Sequence, residues 1–322
     1  MIKDAILKLL WEKADSYVSG AELARSLSVS RTAVWKAVEQ LRAEGYRIES
    51  VTNRGYRLLS ESDVLSEEGI KKYLKDERLT LEVFPSIRST NTVLKNRAAN
   101  GAPEGLALIA GEQTEGRGRM GRSFYSPADT GLYLSLLLRP EISAVEATNI
   151  TACAAVAVAE AIEELSGVPA EIKWVNDVLV NGKKVCGILT EASMDCESGL
   201  VSYVIVGIGI NTSLPRGDFP EELRGIAGAV FDEKKIPELR CRMAAAVLDR
   251  LMGYYGHLSD KSYYEGYRKR SLVLGRPIYI LAPGKAPVPA KVLDLDRDFA
   301  LLVQRDDGGI ERVHSGEVSI RI

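Results

Sequence analysis

Histidine is nearly missing from this chain: its 322 residues contain only His257 and His314. The two lie far apart in sequence, which argues against a zinc site and against a catalytic triad with an imidazole base. Cysteine is scarce too. Cys153, Cys186, Cys196 and Cys241 show no Cys-x-x-Cys spacing. Neither a disulfide framework nor a redox motif is expected, and the thiols read as reduced, as in a cytoplasmic protein. A long hydrophobic run is also lacking. The most apolar stretch, Ile150–Ile162, has Glu146 and Glu160 at its ends and is too short for a bilayer; it reads as a buried helix, with no membrane association. Lys3 and Asp4 interrupt the apolar residues of the first ten positions, which does not fit a secretory signal.

What is present suits a globular protein of two or three domains, with 46% hydrophobic and 27% charged residues. The net charge of −2 is unevenly spread. Residues 1–60 hold ten lysines and arginines against seven acids, so the remainder is net acidic. The basic end is the part expected to meet a polyanion.

That end has the pattern of a winged helix-turn-helix. Ile6, Leu7, Leu10 and Trp11 fall at helical spacing in Asp4–Lys13, and Leu23 and Leu27 do so in the next short helix. After a turn at Ser28-Val29, Ser30 is placed as the N-cap of a helix over Arg31–Ala43, and Gly45 ends it. Val34, Ala37, Val38 and Leu41 make its apolar face, and Arg31, Thr32, Trp35, Lys36 and Glu39 the opposite one. Tyr46–Leu58 then alternates around a turn at Asn53-Arg54-Gly55, a hairpin wing lined by Arg47, Arg54 and Arg57. Ser30, Arg31, Thr32, Trp35, Lys36 and Arg54 are the candidate DNA contacts. The competing reading is a packing module with ordinary solvated charges. Ser60–Ser66 is polar and reads as a linker.

Beyond it, Ser66 caps a helix expected to run to about Lys75, and Ser89-Thr90-Asn91 opens another. Strands are expected at Leu79–Phe84, Leu106–Ala110, Gly131–Leu138, Glu171–Trp174, Val178–Val180, Lys184–Ala192 and Leu200–Ile208, with a buried helix over Ser143–Ser166 and a tight hairpin turn at Asn181-Gly182. Helices and hairpins are segregated rather than alternating as β-α-β units, which implies an α+β fold with a mainly antiparallel sheet.

Three segments carry chemistry. Gly116-Arg117-Gly118-Arg119-Met120-Gly121-Arg122 has the glycine spacing of a dinucleotide-binding fingerprint. That reading fails, because such a loop must open a helix and here Ser123–Thr130 leads into a strand. Arginines between glycines suit an anion gripped by side chains on a mobile loop; the alternative is a solvated surface loop. Lys173-Trp174-Val175-Asn176-Asp177 and Lys184 place charged groups near strand ends, where they can position a phosphate or an amine, or simply line a β-turn. Gly207 and Gly209 alternate on one strand, permitting close backbone approach or marking a crowded sheet contact.

Ser89-Thr90-Asn91, Gly111–Thr114, Gly116–Arg122, Lys173–Asp177, Lys184–Leu189 and Gly207–Asn211, in this order and over nearly the whole chain, resemble the bacterial biotin protein ligases that double as biotin-operon repressors. The resemblance implies a winged helix (1–60), a catalytic domain of the biotin/lipoate ligase, class II synthetase-like type (66–270) and an SH3-like β-barrel (271–322). It departs from the family pattern at Val175, where proline is usual, and at Met120, where a further arginine is common; Phe124 stands where an aromatic, often tryptophan, is usual.

The implied activity is two-step: biotin and ATP with Mg2+ form biotinyl-5′-adenylate, and the biotinyl group passes to a lysine of the biotin carboxyl carrier protein. Mg2+ is expected to come with ATP rather than at a fixed protein site. By resemblance, Arg119, Lys184 and Asp177 are the catalytic residues. The same resemblance assigns ligand contacts to Ser89, Thr90, Asn91, Gln113, Gly116, Arg117, Gly118, Arg122, Phe124, Lys173, Asn176, Gly187, Gly207, Gly209 and Asn211. An adenylate-bound homodimer on operator DNA of biotin genes is the implied repressor. A ligand-sensing repressor without ligase activity and a ligase for lipoate or another acyl acid are the alternatives.

Toward the end, Leu239, Met243, Val247 and Leu251 mark one face of a helix over Pro237–Leu258. Tyr263, Tyr264 and Tyr267 beside Arg268, Lys269 and Arg270 read as a helix end packed on the core, or as a nucleic-acid patch. Arg276–Ile322 is expected to form short strands with turns at Gly284 and Asp306–Gly309.

Overall fold

A computed structural model of the chain describes residues 2–13, 15–59, 63–143, 146–194, 200–231, 236, 238–281, 286–314 and 317–320. The Ser60–Ser62 part of the expected linker, Cys196, Pro237 and the turn at Gly284 lie outside them. The chain divides into two compact units, residues 1–74 with 233–245, and residues 75–232 with 246–322.

The first unit begins with three helices, α1 (Ile2–Glu12), α2 (Gly20–Ser26) and α3 (Arg31–Ala43). Each short helix starts on a serine whose hydroxyl takes an otherwise orphaned N–H: Ser19 from Glu22 at 3.1 Å and Ser30 from Ala33 at 3.1 Å. Ile6, Leu7, Leu10, Leu23, Val34, Val38 and Leu41 form the core, sealed by Leu58 of the wing. The wing is β1 (Ile48–Val51) paired antiparallel with β2 (Gly55–Leu58). Gly55 sits at a φ of +104°, and a Cβ there would meet the Val18 carbonyl at 2.1 Å, so the bridge between Val18 and Tyr56 requires glycine. The helix α4 (Glu67–Lys71), capped by Ser66, is shorter than expected. The chain turns at Lys72-Tyr73, whose side chains are both drawn to the buried carboxylate of Glu238.

The second unit is built on a seven-stranded mixed sheet. Its elements in chain order are β3 (Thr80–Phe84), α5 (Thr90–Ala99), β4 (Leu106–Ala110), β5 (Gly131–Leu138), α6 (Ala147–Ser166), β6 (Glu171–Lys173), β7 (Asp177–Val180), β8 (Lys183–Met194) and β9 (Val201–Asn211). The spatial order is β3-β4-β5-β9-β8-β7-β6, and only β3 and β4 run parallel. The Asn181-Gly182 turn has both residues at positive φ (51° and 74°), as a two-residue hairpin between twisted strands requires. Helix α6 spans Ala147–Ser166, a later start than the expected Ser143, and the Glu146 carboxylate accepts from the Ser143 N–H and hydroxyl. Its apolar residues are buried, and Thr151 bonds Thr190 of β8 at 2.8 Å. One face of the sheet is thereby covered, and the other is left for α5 and the loop at 116–122.

The chain then continues through α7 (Leu239–Tyr255), shared between the two units, and α8 (Tyr264–Arg270). A five-stranded antiparallel β domain follows: β10 (Pro277–Leu281), β11 (Val288–Leu295), β12 (Leu301–Arg305), β13 (Ile310–Val313) and β14 (Glu317–Ile320), ordered β13-β12-β11-β10-β14. Tyr263, Tyr264 and Tyr267 pack on Phe299, with Tyr263 stacked on it at 5.4 Å. Trp174 Nε1 donates to the Phe299 carbonyl at 2.8 Å and Tyr267 to that of Val175 at 3.2 Å. The aromatic segment is therefore a packed helix end, and Arg268 and Arg270 are spent on Asp294 and Glu163. Cys153, Cys186 and Cys241 are free and buried, and burial pushes their thiols upward, Cys241 to about 12.

Candidate functional sites

The uncovered face of the large sheet has a floor made by register. Tyr133, Gly209 and Gly187 lie side by side across β5, β9 and β8, and Ser135, Gly207 and Leu189 form the next row. The missing side chains make room for two others. A Cβ on Gly207 would fall 2.0 Å from Asn91 Oδ1, and one on Gly209 would fall 2.5 Å from the Phe124 ring. The two alternating glycines thus seat Asn91, from the start of α5, and Phe124, from the end of the arginine loop. Phe124 meets Tyr133 edge-on at 6.4 Å.

A chain of hydrogen bonds locks the inner wall. Thr90 gives its N–H to Gln113 Oε1 at 2.8 Å, and Gln113 Nε2 donates to Ser126 at 3.1 Å. The Ser135 hydroxyl reaches Thr90 Oγ1 at 2.7 Å and Asn91 Oδ1 at 2.5 Å. Ser89, Thr90, Asn91 and Ser135 are all buried, so this pairing settles polar groups that would otherwise be costly.

The outer wall is charged. Arg119 Nη1 donates to Asn176 Oδ1 at 2.8 Å; Asn176 Nδ2 donates to Asp177 at 3.2 Å and to the Ile188 carbonyl at 3.0 Å. Lys184 Nζ lies 2.8 Å from Asp177 Oδ1. The position of Lys184 depends on a bulge. Val178 pairs with Cys186 and Leu179 with Lys184, leaving Val185 as the extra residue. The bulge reverses the alternation and brings Lys184 to the face of Gly187, where its Nζ would be 3.4 Å from an added Cβ.

These residues line one cavity: Ser89, Thr90, Asn91, Gln113, Arg117, Gly118, Arg119, Arg122, Phe124, Asn176, Asp177, Lys184, Gly187, Gly207 and Gly209. Three expected contacts are not among its lining. Lys173 sits half-buried on β6. Asn211 bonds the Gly228 carbonyl at 3.0 Å. Gly116 lets Phe124 N–H pair with its carbonyl, since a Cβ there would meet Phe124 O at 2.3 Å. Sequence reading missed Ser123 and the apolar lining of Leu134, Ile188, Leu189 and Ile208. It also missed Ser135, although that hydroxyl amid the leucines of β5 was a visible signal. The loop contains only a three-residue helical turn, Arg119–Gly121, with Met120 at φ 55°, so it opens no helix and is not a dinucleotide fingerprint. Among the described residues no cluster of three or more His, Cys, Asp or Glu could hold a metal ion, and no helix is long and apolar enough to cross a membrane.

In the first unit, Arg31, Thr32, Trp35 and Lys36 are exposed on α3, with Trp35 at 53%. Ser30 uses its hydroxyl as the helix cap. The wing arginines are more constrained than expected: Arg54 and Arg57 flank the Tyr17 ring at 4.7 and 4.8 Å, and Arg57 also pairs with Glu49 at 2.5 Å.

Comparison with known proteins places these sites in context. Residues 83–211 match the biotin/lipoate A/B protein ligase family, and residues 3–57 match an HTH domain. The chain is 35% identical to the bifunctional ligase/repressor BirA of Bacillus subtilis (strain 168), over 99% of this chain and 98% of the relative. It is 28% identical to that of Escherichia coli (strain K12), over 94% and 92%. A biotin protein ligase from Aquifex aeolicus in complex with biotin and ATP superposes with a TM-score of 0.61 at 29% identity, covering 75% of this chain and 98% of that one.

Proposed function

The chain belongs to the family of bifunctional ligase/repressors, and on that premise we propose how its residues share the work. It is a biotin ligase that uses ATP and also a transcriptional repressor. Its acceptor is a biotin carrier protein, and its first unit binds DNA.

The observation that carries the assignment of roles is the linked set Arg119–Asn176–Asp177–Lys184 along one wall of the cavity. Biotin enters over the Gly207/Gly209 floor, with Ser89, Thr90, Asn91 and Gln113 recognising its ring system. Its carboxylate attacks the α-phosphate of ATP, giving biotinyl-5′-adenylate and pyrophosphate. Arg119 and Lys184 face the charge that develops on the phosphate, and Asn176 and Asp177 hold the two cations apart and aimed. No enzyme nucleophile is required, because biotin and the acceptor lysine supply both, so catalysis comes from positioning and charge. Arg117 and Arg122 close the loop over the mixed anhydride and keep water out. Asp177 is also the group that aligns the incoming amine.

Mg2+ bound with ATP would neutralise part of the charge on its phosphates. Asp177 is the carboxylate within the cavity lining, and its bond to Lys184 fits a residue that meets a phosphate-borne ion rather than a resident one.

The functional division follows the sequence: residues 1–60 bind DNA through Arg31, Thr32, Trp35 and Lys36 with the wing at Arg54, residues 66–270 carry out the ligation, and residues 271–322 support ATP and the acceptor. Adenylate-bound chains pair as a homodimer on a two-part operator, since two half-sites need two heads. The reading carries a cytoplasmic location, where ATP, DNA and the carrier domain are met together. Incubation with biotin, ATP and Mg2+ followed by native mass spectrometry tests it: retained biotinyl-adenylate is expected, and its absence at saturating substrates would overturn the assignment.

A further inference from the structure

A carboxylate at the rim of a cavity that receives anions repels its own ligand, so its presence calls for a reason. Glu191 is such a group. It follows Gly187 and Leu189 on β8 at alternate positions and so lies on the cavity face of the sheet. Its side chain is 17% exposed. Oε2 accepts from Asn91 Nδ2 at 3.1 Å; Oε1 lies 3.3 Å from Lys95 Nζ and 3.6 Å from Arg117 Nη1. One carboxylate therefore touches both the start of α5 and the arginine loop, just beyond the backbone bond from the Glu115 N–H to the Arg88 carbonyl at 2.8 Å.

Each contact has a separate consequence. Asn91 is buried, and its amide is read in one orientation: Oδ1 takes the Ser135 hydroxyl, while Nδ2 goes to Glu191 and to the Leu189 carbonyl. Glu191 favours that orientation, because the opposite one would set two oxygens against each other. Arg117 lies between Gly116 and Gly118, where the backbone is most permissive and ordering is most costly in entropy. An ion pair with Glu191 restrains the loop in advance, and its half-exposed arginine makes that restraint weak enough to release.

We propose that Glu191 is a positioning residue that docks the Gly116–Arg122 loop through Arg117 before ligand arrives and fixes the Asn91 amide that faces the ligand. The identity of that ligand rests on the biotin-ligase reading; the docking of the loop does not.

Limited trypsinolysis of the ligand-free full chain tests the docking, because trypsin cuts after Arg119 and Arg122. Glu191→Gln is expected to speed cleavage at these bonds about two- to fivefold, the range expected for release of an exposed ion pair. Arg117→Gln should raise it equally, and the double variant no further. A merely structural role would give additive effects or a uniform rise in cleavage over the whole chain. Cleavage of both single variants at the wild-type rate would overturn the proposal, and Arg117→Gln carries the test alone if Glu191→Gln melts earlier than wild type. In ligation assays Glu191→Gln should raise the KM for biotin by a larger factor than it lowers kcat. A wild-type protein that fails to use biotin would sink the ligand assignment while leaving the proteolysis result to decide the docking.

Discussion

Lys184 Nζ sits 2.8 Å from Asp177 Oδ1, across a hairpin whose bulge at Val185 is what brings the two to one face. Without the extra residue the lysine would alternate to the side covered by α6. The adjacency of cation and cavity is thus a product of strand register, and it makes Lys184 the residue most directly answerable for chemistry.

Lys184→Ala is expected to slow adenylation about 100- to 1,000-fold, the cost of removing one preorganised charge partner from a developing oxyanion. The side chain is 34% exposed, so the fold should tolerate the loss. Pyrophosphate release measured in single turnovers checks this. A wild-type rate would remove Lys184 from the mechanism.

Gly209→Ala should separate binding from folding. The added methyl would lie 2.5 Å from the Phe124 ring, which is half-buried and would have to move outward to admit it. The expected result is a loss of about 1–3 kcal/mol in stability, typical of overpacking, with ligand-induced stabilisation of the protein almost abolished. Thermal shifts with and without biotin and ATP read both quantities. An unchanged ligand shift would mean that Phe124 does not seat the ligand.

The sequence made the chain's local devices legible. Ser30, Ser66 and Ser89 each cap the helix they precede, because capping depends on residues three apart. The Asn181-Gly182 turn and the charged lining were legible for the same reason: special backbone angles and exposed cations leave residue-type marks. What escaped was anything set by pairing across strands. Leu134, Ile188 and Ile208 line the cavity but are indistinguishable in sequence from core. The Val185 bulge is visible only once β7 and β8 are in register. Lys173 neighbours Trp174–Asp177 in sequence, yet the strand separates it from the cavity lining. Glu191 had no neighbour in sequence to announce Arg117 or Asn91.

Acid should expose one link between α6 and α8. Arg270 donates to Glu163 at 2.6 and 3.0 Å and Ala170 N–H at 3.2 Å, and the guanidinium first, then the backbone bond, hold the Glu163 carboxyl below its ordinary range. A depressed carboxylate stabilises the fold above its unfolded value and loses that contribution as pH falls through the folded one. Glu163→Gln is therefore expected to lower Tm at pH 7 by a few degrees, for about 1 kcal/mol. The gap should close below about pH 4. A gap independent of pH would show that packing, not the ion pair, is at stake.

On the head, Lys36 is exposed on α3 beside Arg31 and Thr32. Lys36→Ala should weaken operator binding and reduce the slope of log K against log salt by about 0.9, one phosphate's worth of counterion release. Titrations at four salt concentrations would measure it. A parallel line would place Lys36 off the backbone.

The most direct measurement of the central claim is transfer itself. The protein is incubated with ATP, Mg2+, a biotin carrier domain and either biotin or lipoate, and the carrier is weighed by intact mass spectrometry. One biotinyl group on one lysine, with no lipoyl product, and with the same product formed about 100- to 1,000-fold more slowly by Lys184→Ala, is the expected outcome. Lipoyl transfer in preference to biotin, or DNA binding without any transfer, would contradict the account.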